Sequence, residues 1–476
     1  MSGSPSSFFG CHALAAIERV RAGLFRPVDI AFLAAFRFLF GATMCVSMLR
    51  FIAYGWIDDF FVKPAFHFKY WGFAWVEPLP ADAMHELFWV LAGLGAAMAI
   101  GLAFRLAAAL FVAGFSYLQL VDVTTYLNHY YLALLLGLLL AVSPAHRAFS
   151  VDAVARRALL REAPAGSVCA GWLYLLRFQI GVVYTFAGLA KANSDWLVHA
   201  QPLRIWLGSK TGLAIIGPAF AWPGMPLVMS WAGFLFDTFI IWFLMMRRTR
   251  LPAFALVIVF HALTRALFPI GMFPVIMVLS ALVFFPPDWP RRAIARLGIS
   301  HGVTASPPSI RAPRPAAWRW MGVALGAAHC AVQLALPLRC LAYGDGVRWH
   351  EQGMRFSWRV MVREKNGSIT FVVRNKDTGR VWHVSPRSVL TPLQEREMSG
   401  QPDLILQFAH YVKRDVERRG GGPVEVHVDA LVSLNGREPK RMIDPDIDLA
   451  SIPDGIGKGA FILPGPTEPP PHIRPI

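Results

Sequence analysis

Acidic side chains are scarce in this chain: 30 Asp and Glu stand against 46 Lys and Arg, and charged residues fill only 16% of 476 positions. That shortage, beside 55% hydrophobic residues and a mean hydropathy of +0.46, excludes an ordinary soluble protein and indicates a polytopic membrane protein. Cysteine is sparse too, five residues with no metal-ligand spacing. Cys45, Cys169 and Cys330 fall in apolar helical runs and read as core residues. Cys11 precedes the first span and Cys340 follows the last without an evident partner, so no structural disulfide is expected. No G-x-S-x-G or phosphate-binding loop occurs, and His85-Glu86 lacks the second histidine of a zinc helix. Asp444-Pro445-Asp446-Ile447-Asp448 alternates carboxylates as a calcium loop does, but lacks that loop's Gly and its closing Glu. It reads as a solvated turn, and no metal is expected. No cleavable signal peptide is expected, since Met1–Pro27 has an unconvincing apolar core and no small-residue cleavage site.

What is present is a series of apolar runs. They fall near 28–53, 87–104, 106–121, 130–145, 169–190, 226–246, 252–267, 270–286 and 317–338, which predicts about nine membrane spans. The net charge of +16 would suit nucleic acid, but the arginines gather in short loops between these runs, the positive-inside pattern. Nucleic acid is therefore excluded as a partner. With the N-terminus cytoplasmic, sixteen arginines fall inside, against Lys63, Lys69, Lys191, Arg204 and Lys210 outside. The same topology puts the residues after the last span on the outer side.

The expected fold class is thus a polytopic α-helical membrane bundle followed by a small extracytoplasmic α+β domain. Residues 1–27 form a cytoplasmic segment, 28–338 the transmembrane catalytic domain, 339–455 the α+β domain and 456–476 a proline-rich tail without fixed structure. Ser368–Arg374 and Arg380–Ser385 read as strands around a turn at Lys376–Gly379. Val424–Ser433 and Arg441–Ile443 flank a second hairpin turn at Asn435-Gly436. Between the hairpins, Leu404–Glu417 has helical spacing, with Leu404, Ile405, Phe408 and Val412 on one face. Residues 298–316, rich in proline, read as a cytoplasmic linker.

Chemistry gathers at the outer membrane face. The apolar run Leu173–Leu189 is followed by Lys191, the polar turn Asn193-Ser194-Asp195 and Trp196. A lysine there is either an interfacial anchor, snorkelling beside Trp196, or an amine held partly out of water and able to act as a base. His129 follows Asn128 at the outer start of the fourth span, so it reaches the same face as Lys191. By position alone, Asn128 reads as a helix N-cap with an interfacial His beside it. His261 lies about six residues, ~9 Å, below the outer end of the seventh span. It is either a buried, hydrogen-bonded His or part of a ligand pocket. Arg177 and Gln179 pose the same question in the fifth span, and Arg177 is expected to pair with a buried acceptor. Loop 54–86, carrying Asp58, Asp59, His67, Lys69 and Tyr70, faces the same side.

Segments FHFKYWGFAWVEPLP (66–80), TTYLNHYYLALLLGLLLAVSPAHRAFSVD (124–152), TFAGLAKANSDW (185–196), FHALTRALFPIGMF (260–273) and FSWRVMV (356–362) resemble, in order, the vitamin K-dependent gamma-glutamyl carboxylases and their bacterial relatives. The resemblance extends over roughly residues 25–450, to DPDIDL (444–449). It implies that Lys191 is the base that deprotonates a quinol, and that His129, preceded by Asn128, is a second active-site residue assisting CO2 addition. The co-substrates implied are reduced vitamin K or menaquinol, O2 and CO2. The quinol's reaction with oxygen produces a base strong enough to remove the γ-proton of a glutamate, to which CO2 adds. Phe356, Trp358 and Met361 are implied lining residues, and Tyr184 and His261 candidate quinol contacts. The partners implied are membrane lipid, a lipid-soluble quinol and a glutamate-containing peptide or protein. The expected protein is an integral enzyme of the bacterial inner membrane, with its active site on the outer side. Two alternatives stay open: a quinol epoxidase without protein carboxylation, and a non-catalytic membrane scaffold. The topology is open to a direct test. Cysteines placed at Ser300 and Arg380 should label from opposite faces of sealed vesicles, and labelling of both from one face contradicts the assignment.

Overall fold

The computed structural model describes residues 18–298, 316–344, 346–457 and 459–471. Cys11 and nearly all of the expected linker lie outside the described residues. The apolar runs form α1 (Ala31–Ala53), α2 (Ala81–Ile100), α3 (Phe104–Val121), α4 (Asn128–Val142), α5 (Ala170–Lys191), α6 (Met225–Met245), α7 (Arg250–Leu267) and α8 (Phe273–Ala281). The short α9 (Trp289–Arg296) and the long α10 (Ala316–Leu338) follow. Among the described residues, seven helices are long and apolar enough to cross a membrane. The stretch from α8 through α9 adds an eighth if its two parts, bent by 100°, count as one span. The protein is thus a helical membrane bundle, but the expected nine spans are not reached on length. The shortfall is α4, whose 15 residues fall below the ~20 that cross a bilayer core. Boundaries moved where polar residues start a helix. The second run was expected from residue 87, whereas α2 begins at Ala81 because its first turns carry Asp82, His85 and Glu86. It stops at Gly101, which takes a left-handed φ of 71° that favours glycine.

Packing at the centre depends on close backbone approach. Gly41 of α1 faces α2, and a Cβ added there would lie 2.5 Å from the Ala99 nitrogen. Buried backbone carbonyls outside the α-helices need donors, and arginines supply two such sets. The chain after α8 narrows to a 3-10 turn, Leu282–Phe284, before Pro286 and Pro287. Arg177 of α5 donates to the carbonyls of Val283, Phe284 and Phe285 at 2.9, 3.2 and 3.4 Å. It does pair with buried acceptors, all of them backbone. Arg37 of α1 likewise donates to Ala145 and Phe149 at 2.9 and 2.5 Å. Gln179 bonds His329 and Gln333 at 2.9 and 3.4 Å, tying α10 to a bundle that covers little of its surface. Cys169 is not a core residue, as expected of it, but exposed. It ends β2 (Ser167–Cys169), which pairs with β1 (Pro27–Asp29) as a two-stranded ribbon just before α5.

The C-terminal domain is a four-stranded antiparallel sheet with two helices. β3 (Lys365–Asn375), β4 (Val381–Val384), β5 (Val424–Leu434) and β6 (Lys440–Arg441) run in the order β4-β3-β5-β6. α11 (Pro392–Ser399) precedes α12 (Pro402–Arg418), whose Leu404, Ile405, Phe408 and Val412 are buried on the sheet, the face expected from their spacing. Asp448 accepts from the backbone N–H of Val426 and Ala450 at 2.9 and 3.1 Å, so the 444–448 carboxylate run shapes a turn. The tail, expected without fixed structure, is held as far as Pro471. Leu463 donates to the Met442 carbonyl at 2.9 Å, Glu468 meets Lys440 at 2.8 Å, and the Pro471 carbonyl accepts from Gln201 at 3.3 Å. Proline-rich chain lies extended with its carbonyls free to accept, so neighbouring donors can fix it.

Domain and bundle share a core and a charged clamp. Phe68 and Val123, from loops of the bundle, are buried among the domain's apolar residues. Asp122 accepts from Gln394 of α11 at 2.7 Å and meets His67 at 3.2 Å. Asp195, just past α5, is bound by Arg437 at 2.7 and 2.9 Å, by Arg348 at 2.9 Å and by Asn435 at 2.7 Å. Burial by itself would raise the Asp195 carboxyl, but the Arg437 hydrogen bonds, the Arg348 charge and the Asn435 amide hold it below its ordinary value. A depressed carboxylate stabilises the docked state above its unfolded pKa of about 4, and the contribution is lost as pH falls through the lower folded value. Asp195→Ala should therefore loosen the domain by about 3 kcal/mol at neutral pH and flatten the acid dependence of its docking. Limited proteolysis across pH measures both. Equal protease resistance in wild type and variant contradicts the clamp.

Candidate functional site

Lys191 ends α5 yet does not reach water: it is 6% exposed. Its Nζ donates to Asp237 Oδ2 of α6 at 2.7 Å and to the Ala187 carbonyl at 3.2 Å. A snorkelling anchor would extend its ammonium outward, and this one turns into the bundle. Small residues make that possible. A Cβ on Gly188 would lie 2.6 Å from Thr238 Oγ1 and 2.9 Å from the Thr238 nitrogen, so α5 and α6 meet almost backbone to backbone beside the pair. Above it, Asn193 Oδ1 caps the short helix Ser194–Leu197 by accepting from the Trp196 N–H at 3.1 Å. The turn folds Trp196 back until its ring lies 5.3 Å from Lys191 Nζ, and its indole N–H donates to the Ser230 carbonyl at 2.8 Å. The polar turn after Lys191 thus has two roles: Asn193 closes Trp196 over the amine, and Asp195 holds the outer domain.

Tyr184 lies about two turns below Lys191 on the same face of α5. Its hydroxyl shares a hydrogen bond of 2.8 Å with His261 Nε2 of α7, and both side chains are buried. His261 is therefore a buried, hydrogen-bonded histidine, but one with its other ring nitrogen, Nδ1, lacking a partner among the described residues. The rings of Phe260, Phe273 and Phe236 surround it at 5.3, 5.8 and 6.2 Å. Phe273 also lies 6.0 Å from the ring of His129, which is buried beneath Gly271. Tyr184, His261 and His129 are thus linked through Phe236 and Phe273, and Asp237, the partner of Lys191, follows Phe236 in α6.

Asn128 does not cap α4; Leu127 holds the cap position, and no side-chain bond closes the helix end. Asn128 Oδ1 instead accepts from the Tyr126 hydroxyl at 3.0 Å, and that hydroxyl accepts the Phe356 N–H at 2.8 Å. Burial pushes the Tyr126 phenol well above its ordinary pKa, which keeps the proton this bridge donates. Phe356 packs on Tyr131, Tyr126 and Tyr70 at 4.9, 5.1 and 5.7 Å. Trp358 stacks on Tyr131 at 5.0 Å, fully buried, with its indole N–H unpartnered among the described residues. Phe356, Trp358 and Met361 adopt φ of 62°, 58° and 52°, left-handed backbone that costs bulky residues about 1–2 kcal/mol each. Met361 shares this twist but is only half-buried. Such strain persists where neighbours over-determine the conformation, as the Tyr126 bridge and the Tyr131 stack do here.

Sequence reasoning missed Asp237, Tyr126 and Tyr131. The signal for Asp237 was available: it is the only acidic residue in the apolar run 226–246, and an ionisable group within a span marks a site by default. A second buried lysine shows the contrast. Lys365 of β3 donates to the carbonyls of Trp349 and Gly400 and to Glu351, and burial pulls its amine down to about 8 despite the Glu351 charge. With backbone on two sides, it is a structural lock. Lys191 has one carbonyl and one carboxylate, and the ring of Trp196 beside it.

Comparison with known proteins agrees with this layout. The family model of the HTTM domain matches residues 25–289, more than half of the chain. That of the lumenal domain of vitamin K-dependent gamma-carboxylase matches residues 319–468. No solved structure matches the chain.

Proposed function

Because the chain belongs to the vitamin K-dependent gamma-carboxylase family, we propose that it is a membrane enzyme coupling oxidation of a lipid-soluble quinol to carboxylation of glutamate. The observation that carries this reading is the amine of Lys191, held out of water at the outer membrane face. The residues fit a flat, lipid-soluble ring bearing oxygens. Aromatic rings gather in two places, Phe236, Phe260 and Phe273 about His261, and Tyr131, Phe356 and Trp358 beside Asn128. His261 Nδ1 and the Trp358 indole N–H are buried polar atoms without partners among the described residues, and leaving such atoms unsatisfied costs about 1–3 kcal/mol each. A ligand oxygen would remove that cost.

Reduced vitamin K or menaquinol, with O2, supplies the strong base that glutamate γ-deprotonation requires. The protein's part is acid–base positioning and exclusion of water. Lys191 takes a proton from the quinol hydroxyl. His129, through an uncharged imidazole, hydrogen-bonds the new carboxylate as CO2 adds, and Asn128 holds the Tyr126 bridge beside it. Phe356, Trp358 and Met361 line the approach from the outer domain, where a glutamate-containing peptide arrives. The positive-inside arginines support an outer-side site with the N-terminus cytoplasmic.

Purified protein given reduced quinol, O2, labelled CO2 and a glutamate peptide should form quinone epoxide and fix label. Lys191→Ala should lower epoxide formation by about 10²–10⁴-fold, the usual contribution of a positioned base. Lys191→Arg should do the same, since a guanidinium keeps its proton. His129→Ala should reduce label fixation more than epoxide formation. Near-normal turnover by Lys191→Arg contradicts the base assignment, and epoxide without label in the wild type favours the epoxidase alternative.

A further inference from the structure

We propose that Asp237 is the final acceptor of the quinol proton, with Lys191 as the relay between them. This rests on the reading of Lys191 as the base. A charged lysine has three N–H groups and no lone pair, so it cannot accept a proton until it has given one up. Two of the directions around Lys191 Nζ are occupied, by the Ala187 carbonyl at 3.2 Å and Asp237 Oδ2 at 2.7 Å. The Asp237 bond is at the short end for a charge-assisted pair, and both side chains are buried.

The step balances. Lys191 Nζ passes one proton to Asp237 Oδ2, and the electrons of that N–H bond become the amine lone pair. The lone pair then takes the proton of the quinol hydroxyl, whose O–H electrons stay on its oxygen. The pair goes from zero to one positive charge beside an oxygen that gains one negative charge. The dry pocket never holds net charge, which a low dielectric would penalise heavily. A lysine facing the quinol alone and protonated would first have to lose its proton to solvent across the apolar wall.

Few other charges bear on Asp237. Tyr184 of α5 is bonded to His261 of α7, and α6 itself carries no other ionisable group. Arg250 of α7 is spent on the carbonyls of Leu244 and Met245, and Arg265 lies one turn beyond His261 toward the outer end. On the outer short helices packed against α6, Asp195 is held by Arg437 and Arg348, and Arg204 donates to the His199 carbonyl. Helix Gly217–Phe220 carries none.

The test is the pH profile of epoxide formation by the full-length protein and its Asp237→Asn and Asp237→Glu variants. Without the carboxylate, Lys191 must lose its proton to solvent, so the acid limb should move up by at least about one pH unit, a ~10-fold lower rate on that limb. Asp237→Glu should restore the limb. Loss of rate by Asp237→Asn at every pH, with the limb unmoved, assigns Asp237 to packing and overturns the proposal. A second readout needs no turnover. Infrared difference spectra on adding quinol without oxygen should show a protonated carboxyl in the wild type, displaced in Asp237→Glu. Absence of that signal in the wild type overturns the proposal even if Asp237→Asn fails to fold. Unimpaired epoxide formation by Lys191→Ala would instead sink the underlying base reading.

Discussion

Moving a carboxylate and an ammonium into a low-dielectric interior costs several kcal/mol for each ion, and only close contact between them offsets it. Lys191 and Asp237 are in that position, 2.7 Å apart and both buried. Much of the surrounding architecture serves the contact. Gly188 lets α5 and α6 approach backbone to backbone at Thr238, Trp196 lies over the amine, and Asn193 fixes the turn that puts Trp196 there. The outer domain is drawn in by the same turn through Asp195. The cover over the Lys191 amine and the docking of the domain therefore share four residues of chain.

The second constraint is the unsatisfied backbone. Where a span breaks at Pro286-Pro287, Arg177 answers the exposed carbonyls, and Arg37 does so for the loop after α4. These arginines are interior fittings, which explains how a membrane domain can bury guanidinium groups without a carboxylate partner on each. The strained segment Phe356–Met361 is a different case. Phe356 and Trp358 are pinned there by tyrosines on α4 and its loop, and the Trp358 indole N–H has no partner among the described residues.

Much of this was legible beforehand, for physical reasons. Apolar runs report helices well because burial and membrane depth act on the same residues. The hairpin turns at Lys376–Gly379 and Asn435-Gly436 announced themselves because only certain residues adopt the required backbone, as Asn435 and Gly436 do at φ of 54° and 79°. Polar helix starts such as Ala81–Glu86 were invisible to an apolar window, and the short α4 left the span count unsettled. The Lys191 side chain was legible as a choice between anchor and base, since its helix end was clear but its direction was not. Direction depends on Asp237, 46 residues away, and on the Gly188 contact that brings the two helices together. Long-range pairing of this kind leaves only a faint local trace, here one acid in an apolar run. The cap reading of Asn128 failed because the Tyr126 hydroxyl competes for the same oxygen.

Lys191 is held dry by Asp237, and a double-mutant cycle on stability tests this pairing most directly. Lys191→Met and Asp237→Leu each leave one charge buried and alone, and each should destabilise the detergent-solubilised protein by about 3–5 kcal/mol in reversible unfolding. The double variant, with no charge left to bury, should recover most of that loss, giving a coupling of several kcal/mol. Single variants within about 0.5 kcal/mol of wild type, adding without coupling, would mean that both groups reach water, and the account of the site would fail.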